Sequence, residues 1–135
     1  MPKPVLEIDG RRIASLESFY DEVERVLIPG ASWGRNLDAF NDILRGGFGT
    51  PEGGFVLRWT HSERSRNVLG YPETVRCLEL RAQRCHPSNV PFVRAEIEAA
   101  RRGEGPTMFD VLLEIISVHG EGGHEAEDGV VLELA

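Results

Sequence analysis

The sequence contains few cysteines and no long hydrophobic segment. Cys77 and Cys85 are the only cysteines among 135 residues, which is too few for a disulfide framework, so we expect two packed thiols. No apolar run approaches the roughly 20 residues that span a bilayer. The opening Met-Pro-Lys-Pro lacks the apolar stretch of a signal peptide. We therefore expect a cytoplasmic protein that does not bind membranes.

The short motifs of common enzymes and metal sites are also missing. There is no P-loop, no Gly-x-Ser-x-Gly and no His-Glu-x-x-His. Cys77, Cys85 and His86 lack the spacing of a zinc site. One other group has metal-ligand side chains, but it lies in a Gly-rich acidic segment where chain mobility is the simpler interpretation: His119, Glu121, His124 and Glu125. We expect no catalytic residues, no metal and no cofactor.

The sequence has fewer basic than acidic residues. The chain has 15 basic and 22 acidic residues and a formal net charge of −7, of which residues 70–106 contribute +1 and the remainder −8. Such a field repels nucleic acid and attracts basic molecules. The arginines of residues 70–106 are interspersed with five glutamates, which argues against a nucleic-acid-binding module. A basic protein is the partner that this charge favours.

The hydrophobic pattern predicts three short strands separated by helices. Parallel strands need crossover connections and these connections are helical, so the expected class is α/β with a three-stranded parallel sheet. We expect one domain, residues 1–135, in which residues 70–106 form a helical hairpin insert. The predicted strands are 5–8, 55–59 and 130–134, with a turn at Asp9-Gly10, and the predicted helices are 16–27, 36–45, 62–69, 73–84, 91–102 and 107–119.

Residues 32–44 are the most informative segment. Asn36 can cap a short helix and Gly46-Gly47 can end it. Asp38 and Asp42 then stand side by side on the face opposite the apolar residues, where like charges cost roughly 0.2–0.5 kcal/mol. A cationic partner would reverse that effect. The alternative is that the helix dipole favours Asp38 and that Asp42 is an ordinary solvated residue. The apolar face consists of Leu37, Phe40, Ile43 and Leu44.

This order of elements, together with Trp33-Gly34-Arg35-Asn36-Leu37-Asp38-Ala39-Phe40-Asn41-Asp42, resembles the barstar family of intracellular inhibitors of secreted bacterial ribonucleases. The resemblance covers most of residues 5–69 and 107–134. It implies that residues 32–45 plug the basic active site of a ribonuclease, with Asp38 and Asp42 as the inhibitory carboxylates. The partner-binding residues that it implies are Trp33, Gly34, Asn36, Asp38, Asn41, Asp42, Arg45 and, on the last helix, Glu114.

The sequence departs from the family pattern at several places. Ser32 stands where the family has an aromatic residue, and Arg35 follows Gly34 where the family has an acid. Arg35 and Arg45 are therefore expected beside the two carboxylates, and Arg45 could neutralise Asp42. The insert is best interpreted as a hairpin that covers core surface, with a second binding site as the alternative.

Several functional alternatives remain open. Glu114 could be only a solvated helix residue. The same fold could serve an immunity or regulatory protein that binds a different nuclease or a basic toxin. Paired carboxylates could also belong to a metal-dependent enzyme. We expect a monomer.

Overall fold

Three parallel strands in the order β1–β2–β3 form the sheet of the computed structural model, which describes residues 2–135. Helices connect the strands, so the α/β class predicted from the sequence is confirmed. The strands are β1 (Val5–Asp9), β2 (Val56–Thr60) and β3 (Val131–Leu134), and the helices are α1 (Leu16–Leu27), α2 (Leu37–Leu44), α3 (Ser62–Val68), α4 (Tyr71–Arg84), α5 (Val90–Arg101) and α6 (Met108–Val118).

The two faces of the sheet differ because side chains alternate along a strand. Ile8, Leu57 and Trp59 are buried on the helix-covered face. The other face carries a row of charges, in which Nε of Arg58 lies 2.9 Å from Glu133 and its guanidinium lies 3.8 Å from Glu7. A second cross-strand row is apolar and partly exposed, and consists of Val5, Val56 and Val131.

Helices α1, α2 and α6 each begin at a side-chain cap, close to the predicted position. The Ser15 side chain accepts a hydrogen bond from the amide of Ser18 at the start of α1. Asn36 does the same for Ala39 at the start of α2, as predicted. Thr107 and Asp110 form a reciprocal capping box on α6. These local bonds explain why the predicted helix starts are accurate.

The connection after β1 differs from the prediction. Asp9 caps a 3₁₀ helix, Gly10–Arg12, where the sequence predicted a turn. A Cβ atom at Gly10 would lie 2.4 Å from the carbonyl oxygen of His61, so only glycine allows this approach to the end of β2.

Two later segments also differ. Helix α4 begins at Tyr71, two residues before the predicted start, since Pro72 is tolerated in a first turn. The Gly-rich acidic segment between the last predicted helix and the last predicted strand contains a further 3₁₀ turn, Ala126–Asp128.

The main core lies between the sheet and α1, α2 and α6. Phe19 of α1 stacks on Trp59 at a centroid distance of 5.3 Å and meets Phe40 of α2 edge-on at 5.2 Å. The indole nitrogen of Trp59 donates to Ser65 Oγ at 2.9 Å, so its polar atom is satisfied within the core. The rigid core therefore holds α2 through its buried face.

The hairpin of α4 and α5 has a small core of its own, formed by Leu78, Val93, Ile97 and Ala100. Helix α4 also contacts the rest of the protein, because Thr74 Oγ1 accepts the amide of Met108 at 2.7 Å. The buried residues of α5 belong only to the second cluster. The expectation that the hairpin covers core surface is therefore correct for α4, whereas α5 covers α4.

Both cysteines are free and half-buried. Burial raises the pKa of Cys77 to about 12, so its thiol is unreactive near neutral pH. Cys85 packs against the hairpin cluster. Among residues 2–135, no helix has the length and apolar character needed to cross a membrane.

Candidate functional site

The site is built on α2, which presents two carboxylates to solvent. Phe40, Ile43 and Leu44 are buried, and this fixes the rotation of the helix about its axis. Asp38 and Asp42 are both exposed on the opposite side, as the periodicity predicted. Since α2 is anchored by the core at one face and by its Asn36 cap at one end, the carboxylates have little backbone freedom to lose on binding.

Asp42 is paired within the protein, whereas Asp38 is not. An Arg45 nitrogen lies 2.8 Å from Asp42, and its Nε lies 2.8 Å from Glu125. The hydrogen bond to Glu125, with Asp42 nearby, raises the pKa of Arg45. Asp38 has no ion pair among the described residues. The predicted proximity of Arg45 to Asp42 is confirmed, and this cation reduces the repulsion between the two acids.

Arg35 does not turn toward the α2 carboxylates. It has a φ of 50° and its guanidinium lies 2.5 Å from Asp21 and 3.5 Å from Glu24, both on α1. It also lies 5.8 Å from the centre of the Trp33 ring. Arg35 was expected beside the two carboxylates of α2, but its guanidinium pairs instead with the two acids of α1.

Trp33 holds the loop before α2 against α1. Its indole nitrogen donates to Glu24 at 3.1 Å, and its ring meets Tyr20 edge-on at 5.4 Å. The side chain is half-buried and packs against the main core. A Cβ atom at the neighbouring Gly34 would lie 3.1 Å from the side-chain nitrogen Nδ2 of Asn36, which is a tight contact. Trp33 therefore positions the loop and leaves only part of its ring for a partner.

Asn41 points to an internal partner. Its Oδ1 lies 2.6 Å from Nε2 of His119, a fully buried residue whose Nδ1 lies 2.7 Å from Asp128. This chain of contacts ties α2 to the end of α6 and to the following turn. The oxygen of Asn41 is thus engaged within the protein, and the role in partner binding that the resemblance implies for Asn41 stays a prediction.

The segment after α6 is folded back by hydrogen bonds. The amide of Glu125 donates to Val118 at 2.9 Å, and Val130 donates to the carbonyl oxygen of His119 at 2.9 Å. The segment is therefore ordered by these bonds, and its interpretation as a mobile segment is wrong. Through the contact between Glu125 and Arg45, the segment also holds α2 in place.

Only part of the metal-like group comes together. One ligand atom each from His119, Glu125 and Asp128 lies within 4.8 Å of the others, whereas Glu121 and His124 do not join them. Each of the three is bonded to protein, His119 and Asp128 to one another and Glu125 to Arg45. These bonds make the cluster a structural network that sequence reasoning missed. No local signal indicates the contacts of this network with α2, which join residues 78 and 80 positions apart.

Glu114 is exposed on α6, a helix that contacts α2. Its backbone carbonyl oxygen accepts from Ser117 Oγ at 2.7 Å, and no ion pair forms at its carboxylate among residues 2–135. Its carboxylate is thus exposed, and a role of Glu114 in partner binding stays a prediction.

A family model described as "Barstar (barnase inhibitor)" matches residues 3–95. The match runs from the segment before β1 into α5. It therefore includes α4, which lies within residues 70–106, outside the segments in which the resemblance was predicted. Helix α6 and β3 follow its end. Among curated proteins, no sequence matches the chain. Because the matched segment spans more than half of the chain, the protein belongs to the barstar family.

Proposed function

We propose that the protein inhibits a ribonuclease by covering its basic active site with Asp38 and Asp42. The observation that carries this proposal is the pair of exposed carboxylates on a helix that the core and an N-cap hold in place. The family description names a ribonuclease inhibitor, which supports the same conclusion. The inhibitor acts as a cytoplasmic monomer.

The chemistry follows from what a ribonuclease must bind. Its active site presents cationic side chains to the phosphates of RNA, so two carboxylates placed together can replace two phosphates. Glu114 adds a third acid if the partner also covers α6. Trp33, Gly34 and Asn36 set the loop and the start of α2, and Arg45 and Asn41 brace the helix from its other side.

A different basic nuclease or toxin is the second candidate partner. Arg45 beside Asp42 favours it, because a cation at this place reduces the charge that a barnase-type active site would meet. The immunity role would keep the same surface and change only the partner.

The substitution Asp42→Ala tests the proposal. We expect the inhibition constant for a barnase-type ribonuclease to rise at least about tenfold, since a cation of the partner would lose its carboxylate. Folding should be unchanged because the side chain is 55% exposed. The measurement is ribonuclease activity titrated with inhibitor, together with a thermal melt.

Glu63→Ala is a matched control, because Glu63 is an exposed acid on α3 whose side chain is 82% accessible. It should leave inhibition unchanged. If the wild-type protein does not inhibit at micromolar concentration, barnase-type ribonucleases are rejected as partners. Inhibition that both substitutions reduce equally would reject the assigned role of Asp42.

A further inference from the structure

An open groove with a volume of about 960 Å³ lies between the start of α2 and helix α4. Its lining includes Leu37 and Asp38 from α2 and Leu80, Arg81 and Arg84 from α4. Leu80 is a half-buried leucine. The groove thus joins an apolar surface to the segment that carries the inhibitory carboxylates.

The two walls of this groove carry different charged groups. Asp38 stands at the α2 side, and neither it nor Arg84 forms an ion pair within the described part of the chain. Arg81 reaches only Glu96, at 3.9 Å and with both side chains more than half exposed. Glu17, which also lines the groove, is already paired with Arg76. Arg35 also lines the groove beside Asp38, but its guanidinium is paired with Asp21 and Glu24. The groove therefore offers the carboxylate of Asp38 on one side and the guanidinium groups of Arg81 and Arg84 on the other.

A stable protein–protein interface requires more surface than α2 alone provides. Specific complexes use about 20–30 residues on each side. The candidate partner-binding set contains eight residues, of which Trp33 and Asn41 are committed largely to internal contacts. A protein seated on Asp38 must extend over neighbouring surface, and the groove begins at Asp38 itself.

We propose that the groove receives a segment of the same ribonuclease that Asp38 and Asp42 block. The proposal rests on the function proposed above and adds the chemistry of the partner. The inserted segment carries an apolar side chain that packs against Leu80 and an acidic side chain that meets Arg81 and Arg84. A ribonuclease with a basic site but no such acidic neighbour would be bound less tightly, so the hairpin contributes specificity.

The double substitution Arg81→Glu, Arg84→Glu tests the groove. Barnase and related secreted ribonucleases are the probes, and the inhibition constant is measured for those that the wild-type protein inhibits. We expect the constant to rise at least about tenfold because the acidic segment would face two carboxylates. Leu80→Asp should weaken inhibition in the same direction by burying a charge against an apolar side chain.

The matched control is Arg64→Glu, Arg94→Glu, which makes the same change in net charge at two exposed residues outside the groove. It should change the inhibition constant by less than about threefold. Equal effects of the two double variants would overturn the groove proposal. Thermal melts of every variant establish that each is folded.

Further outcomes separate this inference from the proposed function. If Asp42→Ala abolishes inhibition while the groove variants inhibit like the wild-type protein, the groove proposal is wrong and the inhibitor function stands. If the wild-type protein inhibits none of the probes, both are rejected. A wild-type dimer that Arg81→Glu, Arg84→Glu dissociates in analytical ultracentrifugation would show that a second copy occupies the groove, which also overturns the proposal.

Discussion

Asp38 and Asp42 share one face of α2 but are stabilised by different means. Asp38 lies in the first turn, where the partial positive charge of the helix N-terminus favours an anion. Asp42 lies a turn later and is held by Arg45, which Glu125 holds in turn. Asp38 therefore faces solvent without an ion pair among the described residues, whereas Asp42 shares its charge with an internal cation.

The substitution Arg45→Ala tests how much the ion pair between Arg45 and Asp42 slows association with a partner. Removing the cation exposes the full charge of Asp42, so association with a basic ribonuclease should accelerate by about twofold to fivefold at low salt. Stopped-flow mixing measures the association rate constant. Arg64→Ala is the control because it removes an exposed cation away from α2. Slower association for Arg45→Ala than for the control would show that Arg45 itself contacts the partner.

The residues of the site differ in how far the sequence could predict them. The Asn36 cap and the outward direction of Asp38 and Asp42 depend on neighbours within four positions, and both are confirmed. The internal contacts of Arg35 and Asn41 could not be predicted, because their partners are remote in sequence. Asn41 meets a histidine 78 residues away, and no pattern in the sequence indicates such a contact.

At the scale of the elements, Glu73 joins the hairpin to α1. Its carboxylate accepts the amide of Leu16 at 2.8 Å and lies 2.6 Å from Arg76, which also binds Glu17. Burial raises the pKa of Glu73, but the hydrogen bonds from Arg76 and Leu16 outweigh it, so the net pKa lies below the usual 4.5. The junction is therefore strongest when Glu73 is ionised.

The substitution Glu73→Gln should destabilise the protein by about 1–3 kcal/mol at pH 7, because the Arg76 guanidinium loses one of its two charged partners and keeps only Glu17. The wild-type contribution is present above pH 4.5 and is lost as the pH falls through the lower pKa of the folded state. The free energy of unfolding of the variant should accordingly fall less between pH 5 and pH 3. Urea unfolding across that range provides the measurement.

Glu79→Gln is the control on the same helix, since Glu79 is about half exposed and, within residues 2–135, pairs only with the exposed Arg101. It should change the free energy of unfolding by less than about 0.5 kcal/mol. Parallel pH profiles for Glu73→Gln and the wild-type protein would contradict the role assigned to Glu73.

The arrangement of the hairpin shows where periodicity stops being informative. The amphipathic patterns of residues 73–84 and 91–102 predicted two helices, and α4 and α5 confirm them. The pattern of α5 is the same whether its apolar face packs on the main core or on another helix. Only the structure shows that Val93, Ile97 and Ala100 pack in a separate cluster against α4.

At the scale of the whole molecule, net charge and local pairing act together. Fourteen of the 15 basic residues are arginines, and many of them form ion pairs with acids of α1, the sheet and the hairpin. Arginine suits this role because its guanidinium binds a carboxylate through two nitrogens. The excess negative charge lies outside residues 70–106. Asp38 adds a local charge that forms no ion pair among residues 2–135.

This distribution predicts a strong salt dependence of binding. The Debye length falls from about 10 Å at 0.1 M salt to about 3 Å at 1 M, so the attraction between the acidic inhibitor and a basic ribonuclease is progressively screened. We expect the association rate constant to fall at least about tenfold between 0.05 and 0.5 M NaCl, with a smaller effect on dissociation. Asp42→Ala should give a shallower slope, and Arg64→Glu, Arg94→Glu a steeper one, because these variants lose and gain negative charge. A salt-independent rate for the wild-type protein would mean that shape, and not the carboxylates of α2, directs the encounter.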